Sequence, residues 1–276
     1  METGCFTGVT PSAVLKRQTR YALLVLGTGI VPPMDKYASL LSLKCDTVAL
    51  FLGEVSLKDE SRICLVREHA EFGNAHHLFD TCDQDGMDVS MAHRLLMAEQ
   101  VTAGLEALHK ASVIHGDVAA ANVLVFDFDP DRAEQTRVKL TGQCLVGPAD
   151  RHADAARAGA RKAVRHMPWA PKWAALETLK KGKFTQNSDI WGLGVCLWEI
   201  LTKCEVRPYL EVEKDDSSAM VKHLSQDGHR LSKPPESSEA IYGVLTHCWS
   251  QFGKNRPSLE AIQTALKEEM ARQASL

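Results

Sequence analysis

The sequence of 276 residues predicts an α+β fold with two lobes, a small strand-rich lobe followed by a larger helical lobe. In the first quarter of the chain the apolar residues form short runs broken by Gly, Asp and Lys, which is typical of strands. After about residue 88 they recur at spacings of three and four, the period of an amphipathic helix. We therefore assign residues 1–69 to the first lobe and residues 70–276 to the second, which together form one domain.

The predicted elements follow the chain in order. The strand-like runs of the first lobe are residues 21–26, 48–55 and 62–67, and Pro32 and Pro33 can open a short helix between the first two runs. The first long helix starts near residue 88, and its apolar face is formed by Met91, Leu95, Ala98, Val101, Leu105 and Leu108. Residues 189–201 are apolar on nearly every side, which predicts a fully buried helix. A closing amphipathic helix is indicated by Leu259, Ile262, Leu266 and Met270.

Composition and charge exclude several classes of protein. The sequence is 45% hydrophobic and 24% charged, which is apolar enough for a sizeable core. Its 32 Lys and Arg residues against 35 Asp and Glu residues leave a net charge of −3, so we expect no nucleic-acid partner and no membrane insertion. The first residues lack the basic start and apolar core of a secretory signal, which makes the cytoplasm the expected location. Eight cysteines without CxxC spacing predict reduced, mostly buried thiols, with neither a zinc site nor a disulfide framework.

The segment with the clearest chemistry is residues 113–124, VIHGDVAAANVL, which follows the long helix and ends in a short apolar run. It contains Asp117 and Asn122 five residues apart. This resembles the catalytic loop of protein kinases, HRDxxxxN. In that family the Asp accepts the proton of the substrate hydroxyl and the Asn holds Mg²⁺. The two alanines before Asn122 are similar to the tyrosine-kinase branch.

Further motifs extend the resemblance over residues 2–270. Residues 172–177, KWAALE, are similar to the tyrosine-kinase motif KWxAPE, and residues 184–194 are similar to FxxxSDVWSFG. The pair Glu177 and Arg256 occupies positions that form a buried ion pair in the family. Gly4 to Val9 looks like the second half of a glycine-rich phosphate loop, so the first lobe is expected to be truncated there. The resemblance implies a two-lobed protein kinase-like fold.

Four departures from the family pattern predict that the chain is a catalytically inactive pseudokinase. Leu24 stands where the strand-three Lys of kinases grips the phosphates, and Lys36 stands where its helix-C Glu partner belongs. Gly142 replaces the Asp of DFG, which ligates the metal, and Gly116 replaces the Arg of HRD. Each preorganised charge-stabilising group is worth about 10²–10³ in rate. Asp117 and Asn122 are therefore expected to be vestigial.

The same departures predict no cofactor and no metal site, with ATP bound without Mg²⁺ as the alternative. If a nucleotide binds at all, the resemblance assigns its contacts to Gly4, Phe6, Val9, Ala22, Arg67, Glu68, Ala70, Asn122 and Leu124. Arg67 occupies the gatekeeper position at the back of the cleft. The side chain of Arg67 could fill the nucleotide pocket, or its positive charge could attract a phosphate.

An acidic segment imitates two metal-binding motifs. Asp127-Phe128-Asp129 resembles DFG but lies only five residues after Asn122, too close for the strand, turn and strand that the family needs. Alternate aspartates from 127 to 131 also resemble the start of a calcium loop, but Arg132 and Val138 stand where Gly and Glu are required. We therefore predict a solvated acidic turn.

Within the family, several short motifs resemble the pseudokinase domain of Janus kinases. They are His115-Gly116, Glu71-Phe72-Gly73, Met167-Pro168-Trp169, the polar insert at 127–136 and the segment at 226–231. Asp117 and Leu24 depart from that pattern. The resemblance implies a regulatory or scaffolding domain whose partner is a protein, either a linked or a separate active kinase domain. The alternatives are a nucleotide-binding sensor without turnover and a residual atypical kinase that uses Asp117.

The loop that follows the DFG position also departs from switchable kinases. Residues 145–173 contain no Ser, Thr or Tyr that could accept a phosphate. The loop is rich in alanine and carries Arg157, Arg161 and Arg165 four residues apart, so one helical face would be basic. That face is either a solvated surface or a docking surface for an acidic partner.

Overall fold

The computed structural model describes residues 21–25, 43, 45–49, 51–56, 63–141, 171–212, 217–226 and 229–275. Several predicted features lie outside these residues. They are Gly4, Phe6 and Val9, the helix after Pro32, Lys36, Gly142 and the arginines at 157, 161 and 165.

The strand-rich part is a three-stranded antiparallel sheet with β3 (Ile63–Glu68) between β1 (Tyr21–Val25) and β2 (Phe51–Ser56). The predicted strands at 21–26 and 62–67 are confirmed within one residue. The strand predicted at 48–55 begins three residues later, because the chain before it pairs with the other lobe. Ala49 N donates to Leu140 O at 2.9 Å, and Leu140 N donates to Thr47 O at 2.9 Å. Residues 48–52 are all apolar, so the sequence does not show where the backbone stops pairing with Leu140 and starts pairing with β3.

The chain passes from the sheet to the helical part after Glu68. Helix α1 (Ala75–Gln84) is capped by Asn74, whose side chain accepts from His77 N at 3.0 Å. Just before it, Gly73 has φ +70°, a left-handed conformation that glycine adopts without strain. Phe72 N and Gly73 O bond the backbone of Val125 at 3.2 and 2.9 Å, which fastens the connection to the helical lobe. The lobe boundary at residues 69 and 70 stays a prediction.

The helical part is built around one buried helix. In α4 (Gln186–Leu201) every residue from 188 to 201 is buried, as its apolar sequence predicts. The predicted long helix is α2 (Met91–Lys110), and the predicted closing helix, α7 (Leu259–Gln273), packs along it. The remaining helices are α3 (Leu176–Lys181), α5 (Ser217–Leu224) and α6 (Glu239–Cys248). The chain thus has the predicted α+β fold, with a small sheet followed by helices.

A two-stranded hairpin completes the helical lobe beneath the sheet. Strands β4 (Val123–Asp127) and β5 (Arg137–Leu140) are antiparallel, and the polar insert lies between them as predicted. Gly104 of α2 lets the chain before β2 come close, because an added Cβ would lie 2.5 Å from Thr47 O.

Most of the cysteines whose side chains the structure describes are buried. Cys45, Cys82, Cys196, Cys204 and Cys248 are all free. Burial raises the pKa of Cys248 to about 12, so its thiol stays protonated at neutral pH. Among the described helices, none combines the length and apolar character needed to cross a membrane.

Candidate functional site

The loop that carries Asp117 is held from below by a buried carboxylate. Asp189, in the first turn of α4, accepts His115 N through Oδ2 and Gly116 N through Oδ1, both at 2.8 Å. Its Oδ2 also lies 2.9 Å from His109 Nε2. Only 2% of the surface of Asp189 is exposed, so its carboxylate depends on hydrogen bonds from the protein in place of water. The start of the loop is therefore fixed to the core helix.

His115 connects this loop to the end of β5. Its ring is fully buried, and burial lowers its pKa, so the imidazole is neutral at physiological pH. Asp117 N donates to Nδ1 at 3.1 Å, which leaves Nε2–H to donate to Thr141 O at 2.9 Å. Gly116, between them, has φ +78°, where glycine is favoured over the Arg of the family motif.

Asp117 and Asn122 are brought together as the spacing predicts. Asn122 Nδ2 donates to Asp117 O at 2.7 Å and to Asp117 Oδ2 at 2.9 Å. Asp117 is exposed, and its carboxylate faces the side of the loop that solvent can reach. These bonds give both residues a structural role, the closing of their own loop, that is independent of any metal.

A second buried carboxylate, Glu199, ties three segments to α4. Its Oε2 accepts Ala120 N at 3.0 Å and Trp173 Nε1 at 2.8 Å. Its Oε1 lies 3.5 Å from His76 Nε2, a long contact, and has no hydrogen bond closer than this among the described residues. The pKa of His76 is raised, mainly by its interaction with Glu199, because the imidazolium form pairs with the carboxylate.

Sequence reasoning assigned no role to Asp189 or Glu199. The signal that could have found them is their setting, since each is a charged residue in an otherwise apolar, fully buried helix. Acidic side chains are almost never fully buried unless they are paired. Two acidic residues in one core helix therefore predict that each carboxylate accepts hydrogen bonds from the backbone or from side chains inside the protein.

Two cationic side chains, Arg67 and Lys139, lie on the nucleotide side of the site, which is the end of β3 with the neighbouring part of β5. Arg67, at the predicted gatekeeper position in β3, donates from Nη1 to Thr141 Oγ1 at 3.2 Å and so bridges the sheet and the end of β5. The next residue, Glu68, receives Lys139 Nζ at 2.9 Å on both carboxylate oxygens. Lys139 is nearly buried, and its ammonium lies 4.9 Å from the centre of the Phe126 ring. These contacts involve Arg67 and Glu68, two of the residues that the resemblance assigns to a nucleotide.

The other residues assigned to a nucleotide are placed only in part. Ala22 is the backbone partner of Arg67, and Leu24 pairs with Leu65 on the central strand. Leu124 is buried in β4 and bridges Asn74. Ala70 accepts a turn hydrogen bond from Gly73 N at 3.3 Å. The structure thus gathers part of the predicted set around the end of β3.

The acidic segment of residues 127–132 forms a turn at the surface whose aspartates take part in ion pairs. Asp127 pairs with Arg137 at 2.5 Å, and Asp129 pairs with Arg132. Phe128 packs between Phe72 and His93, at ring distances of 6.1 and 5.2 Å. Within the described part of the chain, no three His, Cys, Asp or Glu side chains are grouped as metal ligands.

The predicted ion pair in the helical lobe is confirmed. Arg256 Nη1 and Nη2 meet the two oxygens of Glu177 at 2.6 and 2.8 Å, a bidentate arrangement. The Arg256 side chain is wholly buried, while Glu177 is 31% exposed, so the pair is buried on one side only. Arg256 also donates to Asn187 O at 2.7 Å and lies 5.2 Å from the Trp191 ring.

Comparison with known proteins agrees with this geometry. The model of the protein tyrosine and serine/threonine kinase family matches residues 33–266. The chain is 31% identical over 184 residues to the tyrosine-protein kinase Drl of Drosophila melanogaster, covering 65% of this chain and 27% of Drl. It is 29% identical over 253 residues to the tyrosine-protein kinase Abl of the same organism, covering 85% of this chain and 14% of Abl. With the mouse tyrosine-protein kinase RYK the identity is 26% over 221 residues, covering 78% of this chain and 34% of RYK.

The matched region therefore spans about a third or less of each of these relatives. The family model, in contrast, covers most of this chain and includes strands β2 and β3 and the helices around α4. The chain belongs to the protein tyrosine and serine/threonine kinase family.

Proposed function

We propose that this chain is a catalytically inactive pseudokinase that regulates or scaffolds a protein partner in tyrosine-kinase-type signalling. The observation that carries the proposal is the joint replacement of three groups that act on phosphate and metal. Leu24, Lys36 and Gly142 stand at the positions of the strand-three Lys, the helix-C Glu and the DFG Asp. Phosphoryl transfer depends almost entirely on positioning and charge stabilisation, so their combined loss leaves Asp117 without a positioned phosphate to act on.

The cleft supports the same proposal. A guanidinium lies between β3 and Thr141, and the Lys139–Glu68 pair lies beside it. A nucleotide base at this place would have to displace Arg67 from Thr141 or Lys139 from Glu68. We therefore expect no Mg²⁺-dependent binding of ATP, because Asn122 alone remains of the two metal ligands of the family.

The partner that we propose is an active kinase domain, either linked to this chain or separate, in the cytoplasm. Support comes from the similarity to the pseudokinase domain of Janus kinases at His115-Gly116 and in the polar insert of residues 127–136. The basic residues Arg157, Arg161 and Arg165 are the proposed contact. Changing all three to Glu should weaken partner binding at low salt, where exposed charges are least screened.

A second candidate function is residual phosphoryl transfer that depends on Asp117. The retained hydrogen bonds between Asn122 and Asp117 favour it, because the loop still presents the carboxylate to solvent. A nucleotide sensor without turnover is a third candidate.

Transfer of radioactive phosphate from ATP separates these candidates. We expect no transfer from ATP, with Mg²⁺ or Mn²⁺, to the chain itself or to tyrosine peptides. Measurable transfer that disappears in Asp117→Asn would replace the main proposal with the second one. If calorimetry shows that ATP binds without Mg²⁺ and no phosphate is transferred, the result would support the nucleotide sensor instead.

A further inference from the structure

Arg67 differs from most arginines of the described chain in having no carboxylate partner there. Arg94, Arg132, Arg137, Arg256 and Arg272 each form an ion pair with Asp or Glu. Arg67 instead donates one hydrogen bond, from Nη1 to the neutral hydroxyl of Thr141. A guanidinium carries five N–H donors in a fixed fork, so most of this fork has no protein acceptor among the described residues.

This cation is also partly removed from water. Arg67 is half-buried, and burial lowers its pKa with no opposing contribution from a negative charge. Desolvating a charge is costly unless a counter-charge compensates it. Within the described part of the chain, the guanidinium therefore has no negative charge that offsets this cost.

The acidic residue next to Arg67 in the sequence already binds another cation. Glu68, the next residue along β3, uses both carboxylate oxygens to bind Lys139 Nζ. The carboxylate of Glu68 is thus engaged with Lys139, while Arg67 bonds the hydroxyl of Thr141. The sequence after Thr141 continues with Gly142, so the acidic residue that active kinases carry there is replaced by one without charge.

We propose that the Arg67 guanidinium is the binding site for the anionic group of a small molecule, a phosphate or a carboxylate, which enters the cleft without a metal ion. The Thr141 hydroxyl fixes one Nη of the fork, and the remaining edge offers two parallel N–H donors. Phosphates and carboxylates accept such an edge through two oxygens, which gives strong and directional binding. The orientation is the reverse of that of ATP in active kinases, because the charged end of the ligand lies at the rear of the cleft. The site holds whether or not the chain transfers phosphate.

Calorimetric titration of the whole chain tests the proposal. Inorganic phosphate and benzoate are titrated separately in EDTA, at constant ionic strength set with chloride. Saturable binding of either probe supports the site, and the comparison of the two shows which anionic group it prefers. Added Mg²⁺ should leave the affinity unchanged. If neither probe binds saturably, the proposal is wrong.

Matched variants locate the binding. Arg67→Met, which keeps the length of the side chain and removes the charge, should lower affinity about tenfold or more, as expected for loss of charge-assisted hydrogen bonds. Arg67→Lys keeps the charge but loses the fork, so its affinity should fall between the two. Arg132→Met makes the same change at an exposed arginine paired with Asp129 and should bind like the wild type. Equal affinity in folded Arg67→Met and the wild type would overturn the proposal.

A direct measurement on the wild-type chain covers the case in which Arg67→Met fails to fold. The Nε–H signal of Arg67 in a nitrogen-15 NMR spectrum is assigned by its loss in Arg67→Lys. It should shift progressively as phosphate or benzoate is added, while the signal of Arg132 stays in place. An Arg67 signal that does not move while either probe binds would place the binding elsewhere and refute the site.

Discussion

The Asp117 loop and the nucleotide side of the cleft meet at Thr141 but are held in opposite ways. The loop is fixed by buried carboxylates of α4, Asp189 and Glu199, which accept its backbone N–H groups. The nucleotide side is held by cations, Arg67 and Lys139. The bonds to Asp189 and Glu199 also satisfy charges inside the core helix. The loop geometry is therefore a requirement of folding, and its retention does not by itself indicate phosphoryl transfer.

The largest effect that we expect in this comparison comes from Asp189→Ala. The change leaves two backbone N–H groups without their acceptor, the buried one of His115 and the partly buried one of Gly116, and it removes the partner of His109. The free energy of unfolding should fall by about 4 kcal/mol, as unsatisfied buried donors cost about 1–3 kcal/mol each. Urea unfolding measures it.

The stability effect of Arg67→Met, on the nucleotide side of the cleft, should contrast with that of Asp189→Ala. Because the guanidinium has no counter-charge among the described residues, its removal should change the free energy of unfolding by less than about 1 kcal/mol. A loss as large as that of Asp189→Ala would mean that the cleft, too, is built for folding, and the comparison would fail. Asp131→Ala, in the exposed acidic turn, is the surface control.

The next effect in size is that of Arg256→Ala. It removes a wholly buried cation and leaves Glu177 and the carbonyl of Asn187 without their donor. We expect a loss of about 3 kcal/mol, at the low end for broken buried pairs, because Glu177 is 31% exposed and can be hydrated. Thermal and urea unfolding check it, with Arg137→Ala, which removes one partner of the exposed pair with Asp127, as the control. A variant that unfolds like the wild type would show that the bidentate pair contributes nothing.

The smallest effect is a pH dependence due to His76. The groups that face it are Glu199, Asp80 and Arg207, and its pKa in the folded chain is raised above 6.5. Its contribution is therefore fully present below pH 6.5 and is lost as the pH rises through the higher folded-state pKa. We expect less than about 1 kcal/mol, since the side chain is 40% exposed.

The measurement is the difference in free energy of unfolding between the wild type and His76→Gln from pH 5.5 to about 8.5. The wild type should be more stable at the acidic end, and the difference should vanish at the alkaline end. His77→Gln, an exposed neighbour on α1, is the matched control and should show no such trend. A constant difference across the range would refute the pairing of His76 with Glu199.

Local patterns predicted the helices and the Asp117 loop well. The apolar run of residues 189–201 could only be a buried helix, and the spacing of Asp117 and Asn122 survives folding because both belong to one short loop. The Glu177–Arg256 pair was predictable from family motifs alone. The contact between Arg67 and Thr141 joins residues 74 positions apart, and neither side chain belongs to a pattern that specifies the other. Such contacts depend on how the sheet lies over the hairpin, which periodicity does not encode.

Residues 45–49 precede strand β2 of the sheet. Their backbone nevertheless bonds the β4–β5 hairpin, because Thr47 and Ala49 form hydrogen bonds with Leu140. Gly104 allows helix α2 to lie against them. A change in the angle between the sheet and the helices would therefore carry this segment with the helices. A binding partner that contacts both residues 45–49 and the sheet would fix that angle, whereas a partner on one side alone would not.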